Sequence, residues 1–183
     1  MLYLFFANGF EETEAMAPLD VLRRAKVEVT TVGVGGTAIT GSHNVTFMAD
    51  ITTDQVELGP DVDGIILPGG MPGTLNLEAD ATVQAAIDYC AANNKLLCAI
   101  CAAPSILGHK QLLEGKPATC FPGFEDDLYG ATPTGTSVVS HENIITCSGA
   151  GGALLFGKAI AARFVGEETA GKVLASMQYP HEF

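Results

Sequence analysis

Apolar residues fall into short continuous runs separated by amphipathic stretches, and the two patterns alternate along the chain. Residues 2–7 are an unbroken apolar run of strand length. Residues 11–25 then carry Ala15, Leu19 and Leu22 at helical spacing, and residues 27–32, rich in β-branched side chains, predict a second strand. Between residues 33 and 50, Gly35, Gly36 and Gly41 break the chain into short pieces that read as a small hairpin or edge strands. A third core strand is expected at 64–67, stopped by Pro68-Gly69-Gly70. Residues 75–92 read as a helix, 95–100 as another buried strand, and 103–113 as a helix. Residues 137–140 and 143–147 pair as a hairpin around His141-Glu142, and helices at 152–165 and 167–177 follow.

Strands alternating with helices mean a mostly parallel sheet covered on both faces. Such sheets bind ligands outside the carboxyl ends of their strands. That rule selects residues 8–14, 68–73 and 101–104. No repeat, linker or low-complexity segment interrupts the pattern, so residues 1–183 are expected to form one domain.

Composition narrows the function classes. With 48% hydrophobic residues spread along its length, the chain has the material for a core and does not resemble a disordered one. No apolar run is long enough to cross a bilayer. The apolar start lacks a basic leader and is followed at once by acids, so it reads as a strand rather than a signal peptide, and a cytoplasmic location is expected. A formal net charge of -12 repels phosphate backbones, which argues against a nucleic-acid partner.

The cysteines are Cys90, Cys98, Cys101, Cys120 and Cys147, an odd number that argues against a disulfide framework. Cys98 and Cys101 match C-x-x-C, but no second pair completes a zinc site, and Cys98 lies within an apolar run, where burial is the simpler reading. His43, His109, His141 and His181 show no zincin spacing. His141 falls at a hairpin tip, and His109 lies about two helical turns beyond Cys101. Neither a metal nor a cofactor is expected.

Three segments carry chemistry. In Ala99-Ile100-Cys101-Ala102-Ala103-Pro104 a buried strand gives way to a helix with Cys101 on the turn. Small residues two positions to either side suit a nucleophile elbow, and Pro104 fits a first helical turn. The helix start would favour a thiolate. The same residues fit equally a small cysteine packed in the core. Pro68-Gly69-Gly70-Met71-Pro72-Gly73 follows the neighbouring strand and could present amides to an oxyanion, together with Ala102, or simply turn the chain. In Gly9-Phe10-Glu11-Glu12-Thr13-Glu14, Glu11 and Glu12 read as carboxylates at a helix start, while Glu14 is open between that role and one beside the cysteine.

Taken in order and spacing, these segments resemble the DJ-1/ThiJ/PfpI superfamily. Ile145-Thr146-Cys147-Ser148-Gly149-Ala150-Gly151 is similar to that family's last strand and turn, and the resemblance runs from Met1 to about Met177. It implies a flavodoxin-like doubly wound sheet sandwiched by helices, and a homodimer. It also implies that Glu14 is a mostly protonated acid hydrogen-bonded to the Cys101 sulfur. The chain departs from the family's best-known branch at Phe121, Ser148 and His43, which stand where a histidine and two arginines are expected, while Arg23-Arg24 match. The pocket, with Arg24, His43, Phe121 and Ser148 as candidate lining, is thus expected to be less basic and more apolar.

The resemblance implies glyoxalase or deglycase chemistry on small carbonyls or glycated adducts, or else redox sensing or chaperone work through Cys101 oxidation. Ala102 occupies the place of the histidine that follows the cysteine in PfpI-type proteases, and no phosphate-binding signature supports thiazole monophosphate synthesis. His181-Glu182 superficially resemble the late histidine and glutamate of class I glutamine amidotransferases, at a terminus expected to fray.

Overall fold

The structure is a computed structural model that describes residues 1–180. The apolar runs become strands of one seven-stranded sheet. They are β1 (Leu2–Phe6), β2 (Val29–Gly33), β5 (Ile51–Thr52), β6 (Gly64–Leu67), β7 (Leu96–Ile100), β10 (Val138–His141) and β11 (Ile144–Cys147), after the short strands β3 (Ala38–Thr40), β4 (Thr46–Met48), β8 (Pro117–Ala118) and β9 (Thr132–Pro133) are counted in chain order. The sheet order is β10-β11-β7-β6-β1-β2-β5, with every pairing parallel except β10 with β11. β3 and β4 form a separate antiparallel hairpin in the glycine-broken segment, and β8 and β9 a short parallel pair.

The central strands β1, β6 and β7 are buried on both faces, which is why their sequences are continuously apolar rather than alternating. Leu4, Phe6, Ile66, Cys98 and Ile100 face α1 (Glu12–Arg24), α5 (Ala153–Val165) and α6 (Glu167–Ser176). Tyr3, Phe5, Ile65, Leu67, Leu97 and Ala99 face the opposite layer, with α2 (Gly73–Ala79), α3 (Ala81–Ala92) and α4 (Pro104–His109).

Two helices differ from expectation. The stretch 75–92 is two helices, because Asp80 leaves the helical backbone and its carboxylate accepts from the amides of Thr82 and Val83, starting α3 afresh. The helix expected over 103–113 starts at Pro104 and ends at His109, where the chain turns through Gln111 in a left-handed conformation. Among the described residues no helix is long and apolar enough to cross a membrane.

Candidate active site

The carboxyl ends of β1, β6, β7 and β11 converge on one spot. β7 ends at Ile100, and Cys101 follows with φ 67°, a left-handed backbone rare for a side chain with a Cβ. Three hydrogen bonds hold the turn: Cys101 N–H to the Cys147 carbonyl (2.8 Å), Phe121 N–H to the Cys101 carbonyl (2.7 Å) and Ala103 N–H to the Ile100 carbonyl (3.1 Å). Pro104 then takes the first helical position of α4. The small side chains of Ala99, Ala102 and Ala103 are buried around the turn.

Glu14 reaches the same spot from α1. Glu11 caps that helix, its carboxylate accepting from the Glu14 amide at 2.7 Å, which places Glu14 in the first turn facing the sheet. Its side chain is 1% exposed. The carboxyl accepts from the Gly69 amide at 3.0 Å and from the Ala150 amide, and shares a hydrogen bond with the Cys101 sulfur. Burial therefore raises Glu14 to about 7, against the pull of those hydrogen bonds. Cys101 is also raised, by burial first and by the Glu14 carboxylate second, while the amides of Ala102 and Gly70 directed at its sulfur oppose the rise. Burial thus works against the thiolate expected from the helix start, since α4 has only six residues and few amides to offer the sulfur. The two groups titrate as a pair, and moving the thiol proton onto Glu14 puts the negative charge on sulfur.

The amides divide differently from the sequence expectation. Gly70 and Ala102 point at the cysteine sulfur, whereas the Gly69 N–H is taken by Glu14. Gly70 has φ 88° and lies packed against the backbone of Gly9 and Glu11, where no side chain fits.

The remaining candidates scatter. Arg24 is the correction. It lies ten residues beyond Glu14 at the far end of α1, about 15 Å along the helix axis, and pairs with Asp20 at 2.9 Å. Arg23 pairs with Asp50, whose carboxylate also holds the Thr31 amide and hydroxyl. His43 sits exposed on the β3–β4 turn, its Nδ1 2.8 Å from the Glu12 carboxylate. Glu11, Glu12 and His43 form one group whose donor atoms come within 4.8 Å of one another. The Glu12 oxygens are already engaged by the amides of His43 and Val45 and the ring of His43, so the cluster ties the hairpin turn to α1. Phe121 and Ser148 line a cleft of about 630 Å³ beside the cysteine turn, with Thr119, Glu125, Ser137 and Gly149. Among the described residues no basic side chain lines that cleft. His109 lies away from it, bonded to Glu78 at 2.6 Å, and His181-Glu182 fall outside the described residues. The sequence reading placed Cys147 only in the last strand and turn; it is a buried thiol at the end of β11 whose environment includes the Glu14 carboxylate.

A mostly parallel sheet flanked by helices on both faces, with a cysteine elbow at its carboxyl edge, makes this a flavodoxin-like α/β protein. The sequence profile of the DJ-1/PfpI family matches residues 1–163, and the chain belongs to that family. It is similar to Protein DJ-1 homolog B of Arabidopsis thaliana, at 35% identity over 88% of this chain and 37% of that protein, so it spans little more than a third of that relative. Deglycase PH1704 of Pyrococcus horikoshii is 32% identical over 68% of this chain and 74% of its own. Oxidised DJ-1 of Toxoplasma gondii superposes with a TM-score of 0.93 at 30% identity, covering 98% of both chains.

A stability prediction follows from Glu14. Its folded-state value lies above the ordinary carboxyl value of 4.5, so the folded chain holds a proton that the unfolded chain releases. The resulting stabilisation is complete below about pH 4.5 and is lost as pH rises to about 7, a change of about 3 kcal/mol. Urea unfolding at pH 5 and pH 8 should show Glu14→Gln losing less stability than the wild type over that interval. Equal losses would place no such proton on Glu14.

Proposed function

We propose that the protein is a cysteine-dependent enzyme acting on small reactive carbonyls or on the adducts they form, with Cys101 as nucleophile and Glu14 as its proton acceptor and donor. The observation that carries this reading is the hydrogen bond between a 1%-exposed carboxyl and the elbow sulfur. Glu14, at about 7, is poised to take the thiol proton near neutrality and return it. As the sulfur bonds to an aldehyde carbon, the carbonyl π electrons move onto oxygen. The amides of Gly70 and Ala102, already directed at the sulfur, are the donors nearest the alkoxide formed there. The cleft beside Phe121 and Ser148, without a basic residue, suits a neutral carbonyl better than an anion. The deglycase name of the Pyrococcus relative agrees in chemical class. Methylglyoxal turnover is the test: it should be measurable for the wild type and absent for Cys101→Ser. Turnover retained without the thiol would refute the assignment.

A second reading is favoured by the accessibility of Cys101, the one cysteine of the five that is not buried. A peroxide reaching that sulfur would oxidise it, as in a redox sensor. We further propose that the chain works in the cytoplasm, and as a homodimer, the latter as its family resemblance implies. Sedimentation at micromolar concentration should give twice the 19.0 kDa chain mass, and a monomer would contradict this.

A further inference from the structure

We propose that Cys147 is the resolving partner of Cys101, so that oxidation by a hydroperoxide ends in a Cys101–Cys147 disulfide rather than in over-oxidation of Cys101. This rests on the reading of Cys101 as an oxidisable thiol.

The geometry begins with the sheet. β11 and β7 are parallel neighbours in which Cys147 is the register partner of Ile100. Cys101 is one residue further, and its amide donates to the Cys147 carbonyl at 2.8 Å. A strand spacing of about 4.8 Å and a rise of about 3.3 Å per residue set the two Cα atoms about 6 Å apart. That lies inside the roughly 4.4–6.8 Å span of disulfides. Register partners on parallel strands point to the same face, and Ile100 and Cys147 both belong to the layer beneath α1 and α5. The left-handed turn at Cys101 brings its side chain against that same layer. Cys98 is fully buried within its strand and also faces this layer, two residues before the elbow.

Glu14 serves both sulfurs. It is hydrogen-bonded to Cys101, and its charge also acts on Cys147. The Cys147 sulfur is held only by weak contacts, a long 3.6 Å bond to the Gly149 carbonyl and further ones to the Ser137 hydroxyl and the Ser148 backbone, and Gly149, Gly151 and Gly152 follow within five residues.

The steps balance. The Cys101 sulfur attacks the terminal hydroperoxide oxygen and the O–O bond breaks. The alcohol leaves with a proton, and Cys101 becomes a sulfenic acid. Cys147 passes its thiol proton to Glu14 and attacks the Cys101 sulfur. The S–O bond breaks, and the hydroxide leaves as water with the proton from Glu14. Two thiols lose two electrons in all, and the hydroperoxide gains them.

The test is to treat the protein with hydrogen peroxide and map every cysteine by tandem mass spectrometry with a thiol label. The wild type should lose the mass of two hydrogens, show a Cys101–Cys147 linkage, and regain both thiols with dithiothreitol. In Cys147→Ser, Cys101 should instead gain two oxygens as a sulfinic acid that dithiothreitol does not reverse. If wild-type Cys101 takes two oxygens while Cys147 still labels as a thiol, the proposal is overturned and the oxidation reading stands. A linkage to Cys98 would also overturn it. If Cys101 does not react at all, the oxidation reading falls with it. Should the serine variant fail to fold, the wild-type map alone decides.

Discussion

Glu14→Gln is expected to lower methylglyoxal turnover by roughly a hundredfold or more, the usual size of a general acid–base contribution. The amide keeps the volume of the carboxyl and can still donate to sulfur, but it cannot accept the thiol proton. Loss should therefore fall on kcat, with the rate rising at alkaline pH as solvent takes over the deprotonation. Glu14→Leu removes the hydrogen bond as well. It also removes the carboxylate that raises Cys101 and strands the amides of Gly69 and Ala150. Full activity in Glu14→Gln, measured with the folded state verified by circular dichroism, would reduce Glu14 to a buried carboxyl at a helix start.

Gly69→Ala should damage both stability and activity. A methyl there would lie 2.6 Å from the Cys101 Cβ and 2.6 Å from a Glu14 carboxyl oxygen, with the Ile100 carbonyl at 3.0 Å. The Glu14 oxygen ends a side chain, but one that is buried and held by amides, and the other two atoms belong to the elbow itself. Relief requires backbone movement, and overpacking of this kind costs about 1–3 kcal/mol. The movement also separates the sulfur from its acid, and about 1 Å of misplacement is worth roughly a hundredfold in rate. Gly171→Ala makes the opposite control: a methyl there meets open space within α6, so it should stabilise by about 0.5–1 kcal/mol. Urea unfolding and turnover of the two variants, side by side, check both signs. A Gly69→Ala protein as stable and active as the wild type would mean that the three segments do not meet as closely as described.

The layered sheet was legible because its central strands are apolar without interruption and its helices are amphipathic. Those two periods survive any detail of packing. The elbow was legible for a local reason: small residues flank Cys101 and a proline opens the helix behind it. Boundaries were less so. Asp80 sits in an otherwise helical pattern, and only its side-chain bonds to two amides reveal that one helix ends and another begins. Arg24 was misplaced because matching a motif residue by residue ignores the 1.5 Å rise per residue that carries it away from Glu14. Cys147 was legible only as part of the last strand and turn, because its neighbours at the site come from β7 and α1 rather than from the chain around it. The lack of a basic side chain at Phe121 and Ser148 could be read from the sequence, but the volume of the cleft depends on the path of residues 119–137.

The Glu14 carboxyl is held by an amide from Gly69 and another from Ala150, with Cys101 between them in the sheet order β6-β7-β11. These contacts span 136 positions of the chain, so the ribosome must deliver β11 before the acid has all its partners. A nascent chain that ends between residues 101 and 149 carries Cys101 and Glu14 without the Ala150 amide that completes the acid's surroundings. The surroundings of the acid are in this way assembled only late in synthesis, after all the strands of the sheet have been made.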